Sequence, residues 1–132
     1  MTTPSPSQIL IVDDDPLFLK ALGDTLRDEG YIVHIALGGQ AGIDAFQSSL
    51  TGPKPFALVF TDLGMNEVDG RQVATAVKAA SPSTPVILLT GWGQWFESKN
   101  TLTLPVDCVL AKPPKLRELR EALAKCLPPA AP

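Results

Sequence analysis

Three consecutive aspartates, Asp13-Asp14-Asp15, directly follow the apolar run Ile9-Leu10-Ile11-Val12. Carboxylates so placed repel one another: at ~4 Å and an effective dielectric of ~20, each pair costs about 4 kcal/mol. A divalent cation relieves that repulsion, and hard cations take oxygen ligands. A helix start is the competing explanation, because Asp15-Pro16 makes a good N-cap and first-turn pair. It accounts for Asp15 and leaves Asp13 and Asp14 without a role. Further along, Phe56 to Thr61 leads into Asp62, Pro85 to Leu89 into Thr90, and Val106 to Ala111 into Lys112-Pro113. Acid, acid, hydroxyl and amine thus follow four apolar runs in chain order. Thr90 or Lys112 alone reads as a turn residue; the set of four points to one shared site.

Runs this apolar are expected to be strands buried on both faces. In open parallel sheets, ligands bind beyond the carboxyl ends of the strands. Asp13, Asp14 and Asp62 therefore converge if strands one and three are neighbours. Strand one is expected at roughly residues 8 to 12 and strand two from Tyr31 to Ala36. Helix one starts at Asp15-Pro16, carries Phe18, Ala21, Leu22, Thr25 and Leu26 at helical spacing, and stops at Gly30. Helix two runs from about Gly39 to Ser49 with Ile43 and Phe46 inward. Helix three runs from about Gly70 to Ala80 with Val73, Ala76, Val77 and Ala80 on one face. The last helix begins near Pro114 and packs with Leu116, Leu119, Leu123 and Leu127. Such alternation gives an α/β fold, a five-stranded parallel sheet with helices on both faces. The order 2-1-3-4-5 sets the two acidic strands side by side. After Thr90, Gly91-Trp92-Gly93-Gln94-Trp95-Phe96 carries three aromatics, and Asn100 to Pro105 has no helical pattern. Helix four, between strands four and five, is accordingly expected to be short or irregular. Residues 1–7 are expected to be a flexible N-terminal segment, 8–127 the domain, and 128–132 a Pro/Ala-rich tail or linker.

Composition agrees with one globular domain: 132 residues, 45% of them hydrophobic. A net charge of −3 gives no basic footprint for nucleic acid. Cys108 and Cys126 are expected to be reduced, buried thiols, and their spacing suggests no metal site. His34 falls in strand two, away from the acidic edge, and is expected to be structural. No run of about 18 apolar residues and no signal-peptide pattern occurs, which reads as a soluble cytoplasmic domain without membrane contact.

From about Gln8 to Leu127 the chain resembles the receiver domain of two-component response regulators, a flavodoxin-like doubly wound fold. Asp13-Asp14, Asp62, Thr90 and Lys112-Pro113 carry the resemblance in both order and spacing. It implies that Asp62 accepts a phosphoryl group. Asp14 directly, Asp13 through water, Asp62 and the Gly64 main-chain carbonyl would hold Mg2+ (or Mn2+). Thr90 and Lys112 would grip the phosphoryl oxygens, and the Lys112-Pro113 peptide bond would be cis. The implied donor is a histidine kinase or a histidine phosphotransfer domain. The implied role is a signalling switch or relay that catalyses its own phosphorylation and dephosphorylation rather than a turnover enzyme. Thr90-Gly91-Trp92-Gly93 and the Val106-to-Pro113 ending look most like receivers attached to hybrid histidine kinases; a stand-alone regulator is the other arrangement.

The chain also departs from the family pattern. Met65-Asn66-Glu67-Val68-Asp69-Gly70 stands where Met-Pro-Gly-x-Asp-Gly is usual, which alters the stiffness of the loop and adds Glu67 near the site. Val109 occupies the position of the usual aromatic switch. Trp92, two residues beyond Thr90, is a candidate modulator of phosphoryl loss through water exclusion; Trp92, Trp95 and Phe96 serve equally well as helix anchors or a partner patch. Two other readings use the same residues. A haloacid-dehalogenase-like phosphatase would take Asp13 as nucleophile and Asp15 as general acid, but its late acidic pair is missing. A pseudo-receiver would bind partners without being phosphorylated.

Overall fold

The computed structural model describes residues 7–91 and 105–127. Among these, five strands alternate with four helices: β1 (Gln8–Asp13), α1 (Pro16–Asp28), β2 (Ile32–Leu37), α2 (Gly39–Leu50), β3 (Leu58–Asp62), α3 (Gly70–Ala80), β4 (Val86–Thr90), β5 (Cys108–Ala111) and α4 (Leu116–Cys126). All strand pairs are parallel and the order is β2-β1-β3-β4-β5. The region expected to hold an irregular helix four, with Trp92, Trp95 and Phe96, lies outside the described residues.

The central strands are apolar because both of their faces are covered. Successive side chains point to opposite faces, so Ile9 and Ile11 join Leu58, Phe60, Ile87 and Leu89 against α1 and α4. Leu10 and Val12 join Val59 and Val86 against Phe46 of α2 and Val73 and Val77 of α3. Every residue of β3 and β4 is buried. The edge strand β2 instead exposes Ile32, His34, Ile35 and Leu37.

Local chemistry starts the helices where strands end. Asp15 caps α1, its carboxylate accepting from the Leu17 and Phe18 amides. Asp69 caps α3 in a capping box completed by Gln72, whose side chain accepts from the Asp69 amide. At the opposite end of the sheet, Asp107 fastens the start of the short β5. Its carboxylate accepts from the Val86 amide (2.8 Å) and from Lys78 Nζ (2.7 Å), which also donates to the Thr84 carbonyl.

Two helical faces differ from the expected ones. The buried face of α1 is Leu19, Leu22, Gly23 and Leu26, while Ala21 is exposed and Phe18 and Thr25 lie on the flank. Leu17, Phe18 and Leu19 are all apolar, so the sequence offers no contrast at the first turn to set the phase. In α3, Ala74 is buried and Ala80 exposed; alanines weigh too little in a pattern to orient a helix. Cys108 and Cys126 are free and half-buried rather than buried. His34 is exposed and meets the Phe56 ring edge-on, 5.2 Å between centroids.

The α2 helix approaches β1 closely enough that a Cβ on Gly42 would lie 2.5 Å from Val12 Cγ2. Glycine-to-alanine changes inside helices ordinarily stabilise by about 1 kcal/mol. Here overpacking, at about 1–3 kcal/mol, opposes that gain. Gly42→Ala is therefore expected to lower the urea midpoint, and Val12→Ala in the same chain to restore part of the loss.

Candidate functional site

The sheet register brings the four strand ends to one edge. Asp13 stands opposite Leu37, Asp62 opposite Leu89 and Thr90 opposite Ala111, immediately before Lys112. The Lys112 amide donates to the Thr90 carbonyl at 2.8 Å, continuing the ladder one step beyond β5. Oxygen atoms of Asp13, Asp14 and Asp62 lie within 4.8 Å of one another. A hard cation with ligand distances of ~2.0–2.6 Å fits among three oxygens so placed.

The three acids differ in surroundings. Asp13 is fully buried. One of its oxygens accepts from the Asp15 amide at 2.9 Å and the other from Lys112 Nζ at 2.8 Å. Asp14 is exposed. Asp62 is 4% exposed, and Lys112 Nζ lies 3.6 Å from its Oδ2. Burial first, then the charge of Asp13, push the Asp62 carboxyl up to about 6; Lys112 opposes the shift and Asp14 adds to it. For Lys112, burial pulls downward but is outweighed by the hydrogen bond to Asp13 and the charges of Asp62, Asp13 and Asp15, so its pKa is raised. The Thr90 hydroxyl is buried and has no hydrogen-bond partner among the described residues. A buried hydroxyl left so costs free energy unless something reaches it. The Lys112-Pro113 peptide bond is cis.

The loop after β3 is built around backbone contacts. Gly70 donates to the Leu63 carbonyl at 3.0 Å. A Cβ on Gly70 would lie 2.3 Å from the Asp62 carbonyl oxygen, which no side-chain movement relieves. A Cβ on Gly39 at the start of α2 would fall 2.1 Å from the Val68 carbonyl oxygen on the same loop. Glu67 is exposed and takes φ 63°, the left-handed region that favours glycine. Gly64 is exposed two residues beyond Asp62. Trp92 lies outside the described residues, and Val109 on β5 is half-buried.

Strand-end reasoning identified the charged set but not its supports. Phe18 places its ring 4.4 Å from Lys112 Nζ, a contact that no spacing rule signals. Gly70 reads as an ordinary helix start, although a glycine following a capping aspartate is a cue for close backbone approach. The expected fifth strand, Val106 to Ala111, takes in Asp107, which instead precedes β5 and fastens it to β4.

With this geometry described, likeness to known proteins identifies the class. A sequence profile of the response regulator receiver domain matches residues 9–124. The chain belongs to that family. It is 35% identical over 127 residues to the transcriptional regulatory protein GlrR of Escherichia coli strain K12, covering 96% of this chain and 28% of GlrR. It is 32% identical over 123 residues to the sensor protein GacS of Pseudomonas syringae pv. syringae, covering 89% of this chain and 13% of GacS. The chain thus spans well under half the length of either relative. Among solved structures, the response regulator TrrA of Thermotoga maritima, in complex with Mg2+-BeF, superposes with a TM-score of 0.79 at 27% identity, covering 92% of this chain and 99% of TrrA. A receiver domain from Clostridium thermocellum superposes at 0.82 with 24% identity, covering 91% and 93%, and supports the fold. This family match does not favour the phosphatase reading, whose general acid, Asp15, serves here as the N-cap of α1.

Two stability measurements probe this edge. Asp62 has a folded pKa raised from 3.8 to about 6, so its effect on stability is least unfavourable below 3.8, where both folded and unfolded forms are protonated. Stability is lost as pH rises through 6, because the unfolded chain binds fewer protons than the folded one in that window. Asp62→Asn in chelator-containing buffer is thus expected to stabilise the protein at pH 8 by on the order of 2–3 kcal/mol. Little gain is expected near pH 4; denaturation midpoints at both pH values check this. Glu67→Gly relieves the left-handed strain and is expected to stabilise by about 1 kcal/mol in urea titrations.

Proposed function

We propose that the protein accepts a phosphoryl group on Asp62 from a phosphohistidine donor. The observation that carries this reading is one nearly buried carboxylate flanked by two further acids, a lysine amine and an unpartnered buried hydroxyl at a single sheet edge. Asp62 Oδ attacks phosphorus and forms the new O–P bond as the donor's N–P bond breaks, leaving an acyl phosphate. Phosphoryl transfer depends mainly on positioning and charge neutralisation. Lys112 supplies a point charge beside Asp62, and the Thr90 hydroxyl donates to a phosphoryl oxygen, which also satisfies an otherwise costly buried group.

Asp13, Asp14, Asp62 and the Gly64 carbonyl are the groups that would hold Mg2+, with Asp13 acting through water because both its oxygens are already engaged. The raised Asp62 pKa fits this assignment, since crowded carboxylates are what a divalent cation relieves. Mg2+ in this position supplies neutralisation of the phosphoryl charge. That the Thermotoga relative was solved in complex with Mg2+-BeF supports Mg2+ as the cation.

The donor is a histidine kinase or histidine phosphotransfer domain, and the likeness to part of a sensor protein suits a relay within a hybrid kinase as well as a separate regulator. No helix among the described residues is long and apolar enough to cross a membrane, and the chemistry suits the cytoplasm, where such donors carry phosphohistidine. Switching runs through Thr90, the loop after β4 or the aromatics Trp92, Trp95 and Phe96, because Val109 offers no aromatic ring to rotate.

Incubation with acetyl phosphate and Mg2+, followed by intact-mass analysis, tests the reading. A single phosphoryl adduct is expected, absent with chelator and absent in Asp62→Asn. Lys112→Ala is expected to slow its formation by about 10²- to 10³-fold. Adduct formation that survives Asp62→Asn would overturn the assignment. A folded wild-type protein that binds Mg2+ and forms no adduct would favour a phosphorylation-independent binding module.

A further inference from the structure

Phe18 adjoins the site without carrying any of its charge. Its ring centroid is 4.4 Å from Lys112 Nζ, inside the ~6 Å reach of a cation–π contact. The same ammonium stands 2.8 Å from Asp13 Oδ2 and 3.6 Å from Asp62 Oδ2. Phe18 lies on the flank of α1, half-buried against the core, outside the helix's own buried face of Leu19, Leu22, Gly23 and Leu26. Its surroundings form a groove of about 290 Å3, shared with Pro113, Leu116 and Leu119. Helix packing alone would accept any apolar side chain on such a flank. An aromatic face turned toward an ammonium is a more specific arrangement.

We infer that Phe18 is a positioning residue for phosphoryl transfer, holding the Lys112 ammonium beside the site while its main partner changes from Asp13 to the phosphoryl group on Asp62. The charge-assisted bond to Asp13 is directional and strong, and in the unphosphorylated protein it holds the amine 0.8 Å closer to Asp13 than to Asp62, the difference of the 2.8 and 3.6 Å contacts. Phosphorylation brings about −1.5 to −2 of new charge to Asp62, so the amine must shift toward it. Attraction to a ring face comes from the quadrupole and has no single donor–acceptor line. It therefore persists along such a shift, where a second hydrogen bond would resist it. The ring also closes one side of the ammonium, whose side chain is 22% exposed.

This inference rests on Asp62 being the phosphoacceptor, and its test has one readout that does not. First, denaturation midpoints are compared for Phe18→Leu, Lys112→Met and the double variant. A real contact makes the Phe18→Leu loss smaller once Lys112 is gone; additive losses would overturn the inference whatever the phosphorylation result. Second, the rate of acetyl phosphate labelling is compared for wild type, Phe18→Leu and Phe18→Tyr. Phe18→Leu is expected to label about tenfold more slowly, equivalent to roughly 1.4 kcal/mol, and Phe18→Tyr, which keeps the ring face, at close to the wild-type rate. Equal rates for all three, or equal slowing in the leucine and tyrosine variants, would reduce Phe18 to packing. A wild type that does not label at all would overturn the phosphoacceptor reading and leave the midpoint comparison to decide the contact.

Discussion

The ion pair between Lys112 and Asp13 is the constraint around which the site is arranged. Asp13 is fully buried at the end of a central strand, where an uncompensated charge would be very costly. Its two oxygens are satisfied by the Asp15 amide and the Lys112 amine, 99 residues away in sequence. Buried pairs of this kind seldom add net stability over an apolar alternative. Their presence at a strand end therefore speaks for chemistry. Every larger feature serves to bring these two groups within 2.8 Å: the sheet order that puts β1 beside β3, the ladder that ends with the Lys112 amide on Thr90, and the Asp107 fastening that fixes where β5 begins.

Crowding at the same edge has a second effect. With Asp13 committed to Lys112, Asp62 is left buried among negative charge and holds its proton more tightly than an ordinary aspartate. The fold tolerates an unfavourable arrangement that a cation or a phosphoryl group with its metal would complete. The Thr90 hydroxyl, without a hydrogen-bond partner among the described residues, is a neutral version of the same condition. A cation or a phosphoryl group bound at this edge would relieve both conditions at once.

Much of this was legible in the sequence because strand ends are. Apolar runs of four to six residues mark buried parallel strands, and the polar residues where they end, Asp13, Asp14, Asp62, Thr90 and Lys112, mark one edge of the sheet. Helix phase was harder. Leu17, Phe18 and Leu19 present three apolar neighbours, of which only Leu19 joins Leu22 and Leu26 on the buried face. The Phe18 ring under Lys112 joins residues 94 positions apart, a contact no local pattern encodes. Glu67 in a left-handed conformation was signalled only by the glycine that the family pattern has at its position, since glutamate itself gives no sign of such a φ. Asp107 falls within the expected fifth strand, and its two partners, Lys78 and the Val86 amide, lie on other elements, so nothing local marks its role.

The hydrogen bond from Gly70 to the Leu63 carbonyl joins the two ends of the segment 64–69. With Gly70 seated directly on the Asp62 carbonyl, those ends are held by backbone contacts of their own, and Val68 between them packs against Gly39 of α2. The segment is a closed cassette of six residues. This explains how asparagine and glutamate can stand where the family pattern has proline and glycine while β3 and α3 keep their junction. It also makes residues 64–68 an exchangeable part: five-residue sequences can be grafted between Leu63 and the Asp69 cap to retune the rim of the site, with the strand that carries Asp62 left in place.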